Sequence, residues 1–344
     1  IVRDKANRRR MIAAANTLAA SCSSAEPLDA LAAKAEVSFA EILDQQSSEP
    51  TTLAKVFAEV TNYIESRGAI GGLQTGFNAV DALTGGLEPG QLVIVAARPA
   101  MGKTVFGCNV ANHVASNGGA VLFFSLEMPR REIGMRLMAA RSGVPVQAMR
   151  SGTDRHEHWD RMADALGPAQ AHRLWIDDKP AVSVPYVRAR AQRLKRTKGL
   201  DLIVVDYLGL MKGDGDNRTQ ELGSISRGLK ALAKDLHVPI IALAQLNRGV
   251  ESRPDKRPLM SDLRDSGEIE QDADIVAMLH REAVYQPDAP EWAGVAELLV
   301  RKNRNGPTGD VLLSWWPLEM RFSDHHGSNP RITLAARSTS RGFQ

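Results

Sequence analysis

The chain has 344 residues, 43% hydrophobic and 24% charged, a balance that excludes a low-complexity or disordered polymer and allows one large domain or two smaller ones. Its apolar runs all fall short of the ~18–20 residues that span a bilayer, so no membrane partner is expected. A formal net charge of +3 does not advertise a nucleic-acid surface, although a narrow basic stripe can hold phosphates on a nearly neutral protein.

Residues 1–45 are rich in Ala and lack Gly, and Pro27 should separate two helices there. "DQQSSEP", Asp44 to Pro50, reads as a linker. Leu53, Val56, Phe57, Val60 and Ile64 then recur at helical spacing, with Gly68 as a stop. That helix either packs on its own domain or docks on a neighbouring subunit. With Ile1 in place of Met, the chain is expected to lack its true N-terminus. Two distant cysteines, Cys22 and Cys108, make neither a disulfide framework nor a metal spacing. With no signal peptide in view, this cysteine usage fits the cytoplasm, and Cys108 reads as core.

From Gly71 onward short apolar runs alternate with helical patterns. "QLVIVAA", "AVLFFSLE", "RLWIDD", "DLIVVDYL", "VPIIALAQ", "ADIVAML" and "GVAELLVRKN" read as seven strands. Helices are expected from Lys103, after Pro129, and over "QELGSISRGLKALAKDL", where Leu222, Ile225, Leu229, Leu232 and Leu236 share a face. Near-continuous apolar strands separated by helices imply an α/β fold with a mostly parallel sheet covered on both faces. Shorter connections late in the chain predict an antiparallel far edge. The basic run "VRARAQRLKRTKG" reads as a solvated helix face before it reads as a nucleic-acid site.

"ARPAMGKT", Ala97 to Thr104, lies between a buried strand and a helix, where a phosphate-binding loop belongs. The first glycine of the usual G-x-x-x-x-G-K-[ST] pattern is replaced by Ala97, which a small residue with negative φ can serve. Pro99 stiffens the loop, Gly102 lets the backbone approach a ligand, Lys103 supplies charge to the β- and γ-phosphates, and Thr104 offers a hydroxyl to Mg²⁺. Arg98, Pro99, Ala100, Met101, Gly102, Lys103, Thr104 and Val105 are the expected nucleotide-binding residues. Asp206 ends the "LIVVD" strand and is placed to hold the metal, since clefts in open parallel sheets lie at carboxyl ends. Glu127, just past the second strand, is a candidate general base for the attacking water. Gln245, ending the fifth, could hydrogen-bond the γ-phosphate. Either residue alone reads more simply as a solvated loop side chain.

Together, "ARPAMGKT", "FFSLEMP", "VVDYLGLM", "GDNRTQELGSISRGLKALAKDLHVPIIALAQLNR", "KRPLMSDLRDSGEIEQDADIVAML" and "KNRNGPTG" closely resemble the C-terminal motor of the DnaB-type replicative helicases, hexameric RecA-like ATPases. The family also writes alanine at the first loop position. The resemblance implies ATP and Mg²⁺ as cofactors. It makes Glu127 the catalytic glutamate, Asp206 the Walker B aspartate and Gln245 the γ-phosphate sensor. Lys302 and Arg304 become fingers that reach a neighbour's ATP. Without it, Arg304 would read as a solvated edge-strand residue. Arg264, Asp265, Ser266 and Gly267 fall in the family's loop for single-stranded DNA, with Asp265 where relatives usually carry glutamate. Gly209 stands where glutamine is common. The implied domains are a helical remnant of an N-terminal domain over 1–45, a linker and linker helix over 46–70, and a RecA-like motor over 71–344. Implied partners are single-stranded DNA, five further copies in a homo-hexamer and, for the full-length protein, a loader and a primase. The implied setting is the cytoplasmic replication fork. A recombinase filament and an inactive ATP-binding scaffold are the rival readings.

Overall fold

The apolar runs pair as their texture requires. In a computed structural model, which describes residues 2–22, 31, 35, 38, 51–66, 71–152 and 155–332, two compact units appear. One comprises Ile1–Ala69 with Ser183–Thr197, the other Ile70–Val182 with Lys198–Gln344. Pro27, the linker at 44–50 and the stop at Gly68 lie outside the described residues.

The first unit contains α1 (Val2–Ser21) and α2 (Leu53–Ser66). On α2 the predicted apolar face is real but exposed: Leu53, Phe57 and Ile64 each retain more than 60% of their accessible surface (66%, 61% and 65%).

The second unit opens with α3 (Asn78–Thr84), β1 (Leu92–Ala97), α4 (Lys103–Ser116), β2 (Ala120–Ser125) and α5 (Arg130–Ser142). It continues with α6 (Val146–Ser151), α7 (Arg155–Ala169) and β3 (Arg173–Asp177). The next helix, α8 (Val184–Lys198), falls almost wholly in the first unit and carries the basic run. Its Arg190, Arg193, Lys195 and Arg196 are exposed, the solvated face expected of it. Then follow β4 (Leu202–Asp206), α9 (Arg218–Leu236), β5 (Ile240–Gln245), α10 (Gly267–Asp272) and β6 (Ile275–His280). Last come β7 (Val295–Asn303), β8 (Gly309–Trp316) and β9 (Arg321–Asp324).

The nine strands form one sheet in the order β3-β2-β4-β5-β1-β6-β7-β8-β9. The first six in that order run parallel, and β6 to β9 are joined antiparallel, as their short connections require. Every residue of β1, β2, β4 and β6 is buried, which is why these strands read as continuous apolar runs rather than alternating ones. Two strands, β8 and β9, were not expected from the sequence. β8 alternates buried and half-exposed positions, and β9 has only four residues, so neither makes a continuous run.

In the second unit α9 buries most of the stripe its spacing predicts. On α9, Ile225, Leu229, Leu232 and Leu236 are buried, and Asn217 caps the helix by accepting from the Gln220 N–H. On α4, Phe106 stacks against Phe77 at 5.1 Å between ring centroids. Gly107 lets α4 close on β5, since a Cβ there would lie 3.1 Å from Leu243 Cδ1. Cys108 is core as expected, and burial pushes its thiol up to about 12, out of the range of a nucleophile.

A charged network closes the antiparallel side. Glu297 is 1% exposed and receives Arg257 at 2.7 Å and Arg331 at 2.6 Å. His280 and Glu282 adjoin it, paired at 2.9 Å, with Arg331 reaching Glu282 as well. These three acidic and imidazole groups lie within metal-binding reach of one another, but the two guanidiniums already engage the carboxylates and His280 is paired with Glu282. Burial raises the Glu297 pKa, yet the hydrogen bonds and charges of Arg331 and Arg257 outweigh it and hold the carboxyl below the usual glutamate range. A folded-state pKa below the unfolded one contributes stability at neutral pH that is lost as pH falls through the glutamate range. Replacing Glu297 by Ala leaves Arg257 with Asp310 and Arg331 with Glu282 as their remaining carboxylates, and should cost about 1.5–3 kcal/mol, the usual contribution of hydrogen bonds to charged groups, in chemical denaturation at neutral pH. The difference from the parent protein should shrink on acidification.

Candidate active site

The site is assembled at the carboxyl ends of the parallel strands. Register sets its levels: Ala97 pairs with Gln245 across β1 and β5, and Ser125 pairs with Asp206 across β2 and β4. Four chain exits therefore open on one sheet edge, where ligands of such folds sit.

Ala97 is the last residue of β1, 2% exposed and in strand conformation. Its φ is not left-handed, so glycine is unnecessary at that position. The strain sits further along, at Ala100 with φ 66° and Gly102 with φ 98°. Gly102 is irreplaceable on space as well, because a Cβ there would lie 2.8 Å from the Phe322 ring. Gly102 also begins α4 without any side-chain cap. The first N–H groups of a fourteen-residue helix are thus left facing the loop, an anion site of the usual kind.

Thr104 Oγ1 donates to Asp206 Oδ2 at 2.7 Å, and Lys103 Nζ stands 3.5 Å from Asp206 Oδ1 and 4.0 Å over the Tyr207 ring. Asp206 is fully buried, and its Oδ1 has no hydrogen-bond partner of its own. At 3.5 Å the lysine is an ion pair and not a formed hydrogen bond. Burial lowers the Lys103 pKa, opposed by the charges of Asp206 and Glu127. An unpaired carboxylate oxygen beside a threonine hydroxyl is an oxygen donor set suited to a hard divalent cation.

Above this pair lies a cavity of about 410 Å³ lined by Arg98, Pro99, Ala100, Gly102, Lys103, Thr104, Val105, Glu127 and Gln245. Met101 is buried at 2% beneath the loop and serves it through its backbone. Glu127 is exposed to the cavity, and the Leu126 N–H beside it donates to the Asp206 carbonyl at 2.7 Å. Arg98 turns its guanidinium to Glu251 and to the Leu246 carbonyl.

Some lining residues were not singled out in the sequence. Met128, Arg136, Trp315 and Met320 complete the cavity. Trp315 packs on Phe322 at 4.6 Å and lies under the Arg281 guanidinium, which also donates to the Ala100 carbonyl at 3.0 Å. Trp315 is in β8 and Met320 in the turn to β9, so they became visible only once those strands were placed.

Lys302 and Arg304 are not brought to this cavity. Lys302 pairs with Val276 near the start of β6, and the Arg304 N–H donates to the Asp274 carbonyl at 2.8 Å. Asp274 in turn donates its N–H to Leu92, at the beginning of β1. Arg304 therefore stands at the opposite end of the sheet from the phosphate loop, roughly 17 Å away along the five-residue rise from Leu92 to Ala97. Its side chain is 61% exposed and only 3.4 Å from Asp274 Oδ1, while Lys302 Nζ donates to the Glu270 carbonyl at 2.6 Å. The backbone over Met260–Ser266 is a 3-10 helix leading into α10. The side chains of Arg264, Asp265 and Ser266, and the surroundings of Gly267, lie outside the described residues.

A parallel sheet with this loop, aspartate and strand order defines a P-loop ATPase of the RecA-like class. Residues 72–324 match the model of the DnaB-like helicase C terminal domain, and the chain belongs to that family. It is 40% identical over 341 residues to the replicative DNA helicase DnaC of Bacillus subtilis (strain 168), covering 94% of this chain and 75% of that protein. It is 48% identical over 260 residues to the replicative DNA helicase DnaB of Leifsonia xyli subsp. xyli (strain CTCB07), covering 75% of this chain and 57% of that one. A solved DnaB-like replicative helicase, described with its interactions with primase, superposes with a TM-score of 0.80 at 32% identity, covering 93% of this chain and 76% of that chain.

Replacing Glu127 by Gln should lower the turnover of ATP by about 10²–10⁴-fold, the usual contribution of a positioned base, and leave ATP affinity intact. Single-turnover hydrolysis alongside equilibrium binding of a fluorescent ATP analogue separates the two. Replacing Lys103 by Ala should abolish turnover while the far-ultraviolet circular dichroism stays unchanged.

Proposed function

We propose that the protein is an ATP-driven replicative DNA helicase that translocates on single-stranded DNA as a ring of six identical subunits. Its family resemblance gives the direction as 5′ to 3′. One observation carries the reading: the cations suited to phosphoryl transfer, Lys302 and Arg304, stand at the sheet end opposite their own phosphate loop. They can serve hydrolysis only on another copy's nucleotide.

In this reading the N–H groups of the loop and of the start of α4 hold the phosphates, and Lys103 leaves Asp206 for the β- and γ-phosphates. Trp315 and Met320 form the wall against which the base lies. Glu127 takes the proton from the attacking water, and Gln245 hydrogen-bonds the γ-phosphate. Arg304 of the next subunit neutralises the charge that develops on the transferred group. Thr104 and the free Oδ1 of Asp206 are the residues that would hold Mg²⁺, whose charge would screen the β- and γ-oxygens. Arg264 to Gly267 hold DNA phosphates, chiefly through backbone that reads no sequence.

The first unit supplies the means of assembly. The exposed stripe Leu53, Val56, Phe57, Val60 and Ile64 on α2 needs an apolar partner. A groove between α5, α6 and α7, about 780 Å³ and lined by Met135, Met138, Met149, Met162 and the exposed Trp159, offers one on a neighbouring copy. Residues 1–45 and 46–70 are then the end of an N-terminal domain and its linker, and 71–344 the motor. Loader and primase contacts belong to the full-length protein at the replication fork in the cytoplasm.

A recombinase would build continuous filaments in electron micrographs in place of closed six-fold rings. A scaffold would show no hydrolysis stimulated by DNA. The trans arrangement is tested by mixing. Subunits with Arg304→Ala and subunits with Glu127→Gln should each be nearly inactive alone. Dissociated and reassembled together, they should regain DNA-stimulated hydrolysis at the hybrid seams that carry an intact pair. Absence of any recovery in rings shown by mass spectrometry to be mixed would refute the reading.

A further inference from the structure

We infer that Glu251 is a positioning residue: its ion pair with Arg98 latches the phosphate loop to the segment that carries the DNA loop, and so couples nucleotide state to DNA grip. The inference rests on the site and DNA loop assigned above.

The latch is built at both ends. Arg98, 9% exposed at its side chain, donates Nε and an Nη to the same Glu251 oxygen at 2.9 and 2.7 Å. Its other Nη donates to the Leu246 carbonyl at 2.8 Å, and the Leu246 N–H donates back to the Ala97 carbonyl at 3.1 Å. Leu246 follows Gln245 directly. The phosphate loop and the exit of β5 are therefore fastened to each other within one residue of the γ-phosphate sensor.

From there the chain is tied into one body as far as the DNA loop. Arg253 grips both oxygens of Asp262 at 3.0 and 2.7 Å. The Asp262 carbonyl accepts the Asn247 N–H at 3.1 Å, and its carboxylate accepts the Leu259 N–H at 2.7 Å. The two ends of the excursion from Asn247 to Asp262 are thus pinned together, with Glu251 inside it. Arg264 lies two residues beyond Asp262. A displacement of the phosphate loop has a short, bonded route to the DNA loop: Arg98, Glu251, the tied excursion, Asp262. A planar guanidinium bound on a carboxylate transmits direction as well as distance, which a single exposed lysine contact would not. Glu251 is itself 47% exposed at its side chain, but removing it leaves the 9%-exposed Arg98 guanidinium with only the Leu246 carbonyl, so thermal unfolding of each variant accompanies the binding measurements.

The test is a binding cycle on the full chain. A fluorescein-labelled oligo-dT is titrated with protein, with and without a non-hydrolysable ATP analogue, for wild type, Glu251→Ala, Glu251→Gln and Glu251→Asp. Coupling between two sites is reciprocal and typically amounts to about 5–150-fold in affinity. The wild type should show a nucleotide effect in that range. Glu251→Ala should bind oligo-dT without nucleotide as wild type does, bind the analogue without DNA as wild type does, and lose the mutual effect. Glu251→Gln should lose most of it, and Glu251→Asp should restore part. An unchanged mutual effect in Glu251→Ala overturns the latch, as does an equal loss of analogue affinity in the absence of DNA, which is what a merely structural pair predicts. A wild type that binds no oligo-dT at all refutes the DNA reading itself, and the latch falls with it.

Discussion

A fully buried carboxylate with one oxygen unpaired governs this protein. Asp206 is held at the end of β4 by the sheet, shares one oxygen with Thr104 and keeps the other turned to Lys103 without a formed hydrogen bond. Burying an ionised carboxylate with incomplete partners is costly, and folds retain such a group where a ligand completes it. Lys103 shares the imbalance, since burial lowers its pKa while Asp206 and Glu127 oppose the shift. A loosely held ion pair beside an open cavity can be parted by a triphosphate and its cation, each drawn to one member. The backbone N–H groups at the start of α4 point into the same space.

The sheet that creates this site also makes it incomplete. Because β7 runs antiparallel to β6, its basic end finishes at the amino ends of the parallel strands, away from the phosphate loop. No side chain is long enough to reverse that separation. In the ring proposed above, hydrolysis assisted by Arg304 is a property of an interface, and each site is regulated by the opening or closing of its seam. The antiparallel extension alone separates the two halves of the chemistry, and assembly rejoins them.

Much of this was legible in the residues, for identifiable reasons. Fully buried parallel strands write themselves as unbroken apolar runs, so β1, β2, β4, β5 and β6 could be read directly, and the polar residue ending a run marked the cleft. Ala97 was legible as a tolerated change because its position needs only a small residue in strand conformation. β8 and β9 were not, since half-exposed alternation over a few residues carries little signal. Their absence hid Trp315 and Met320 from the cavity. Arg98 lines the cavity as its motif position suggests, but its partner was hidden. Its place in the loop motif speaks for phosphate, while its guanidinium is engaged by Glu251, 153 residues away in sequence, and no local pattern records such a partner.

The exposed face of α2 sets the remaining constraint. Fully burying a Leu, Val, Ile or Phe side chain contributes about 1.5–3 kcal/mol, so five such residues left partly or largely in water forgo several kcal/mol that an apolar partner would recover. That deficit favours assembly before any nucleotide binds. It also divides the work between two kinds of contact. An apolar helix lying in a methionine-lined groove is non-directional and can slide or rotate as a seam changes, because thioether side chains repack easily. The charged contact proposed between Arg304 and a neighbour's phosphate tolerates no such movement. On the proposed reading, a ring held by the first and timed by the second keeps its subunits together while each catalytic seam loosens in turn, which is the mechanical requirement for walking along a strand without letting go.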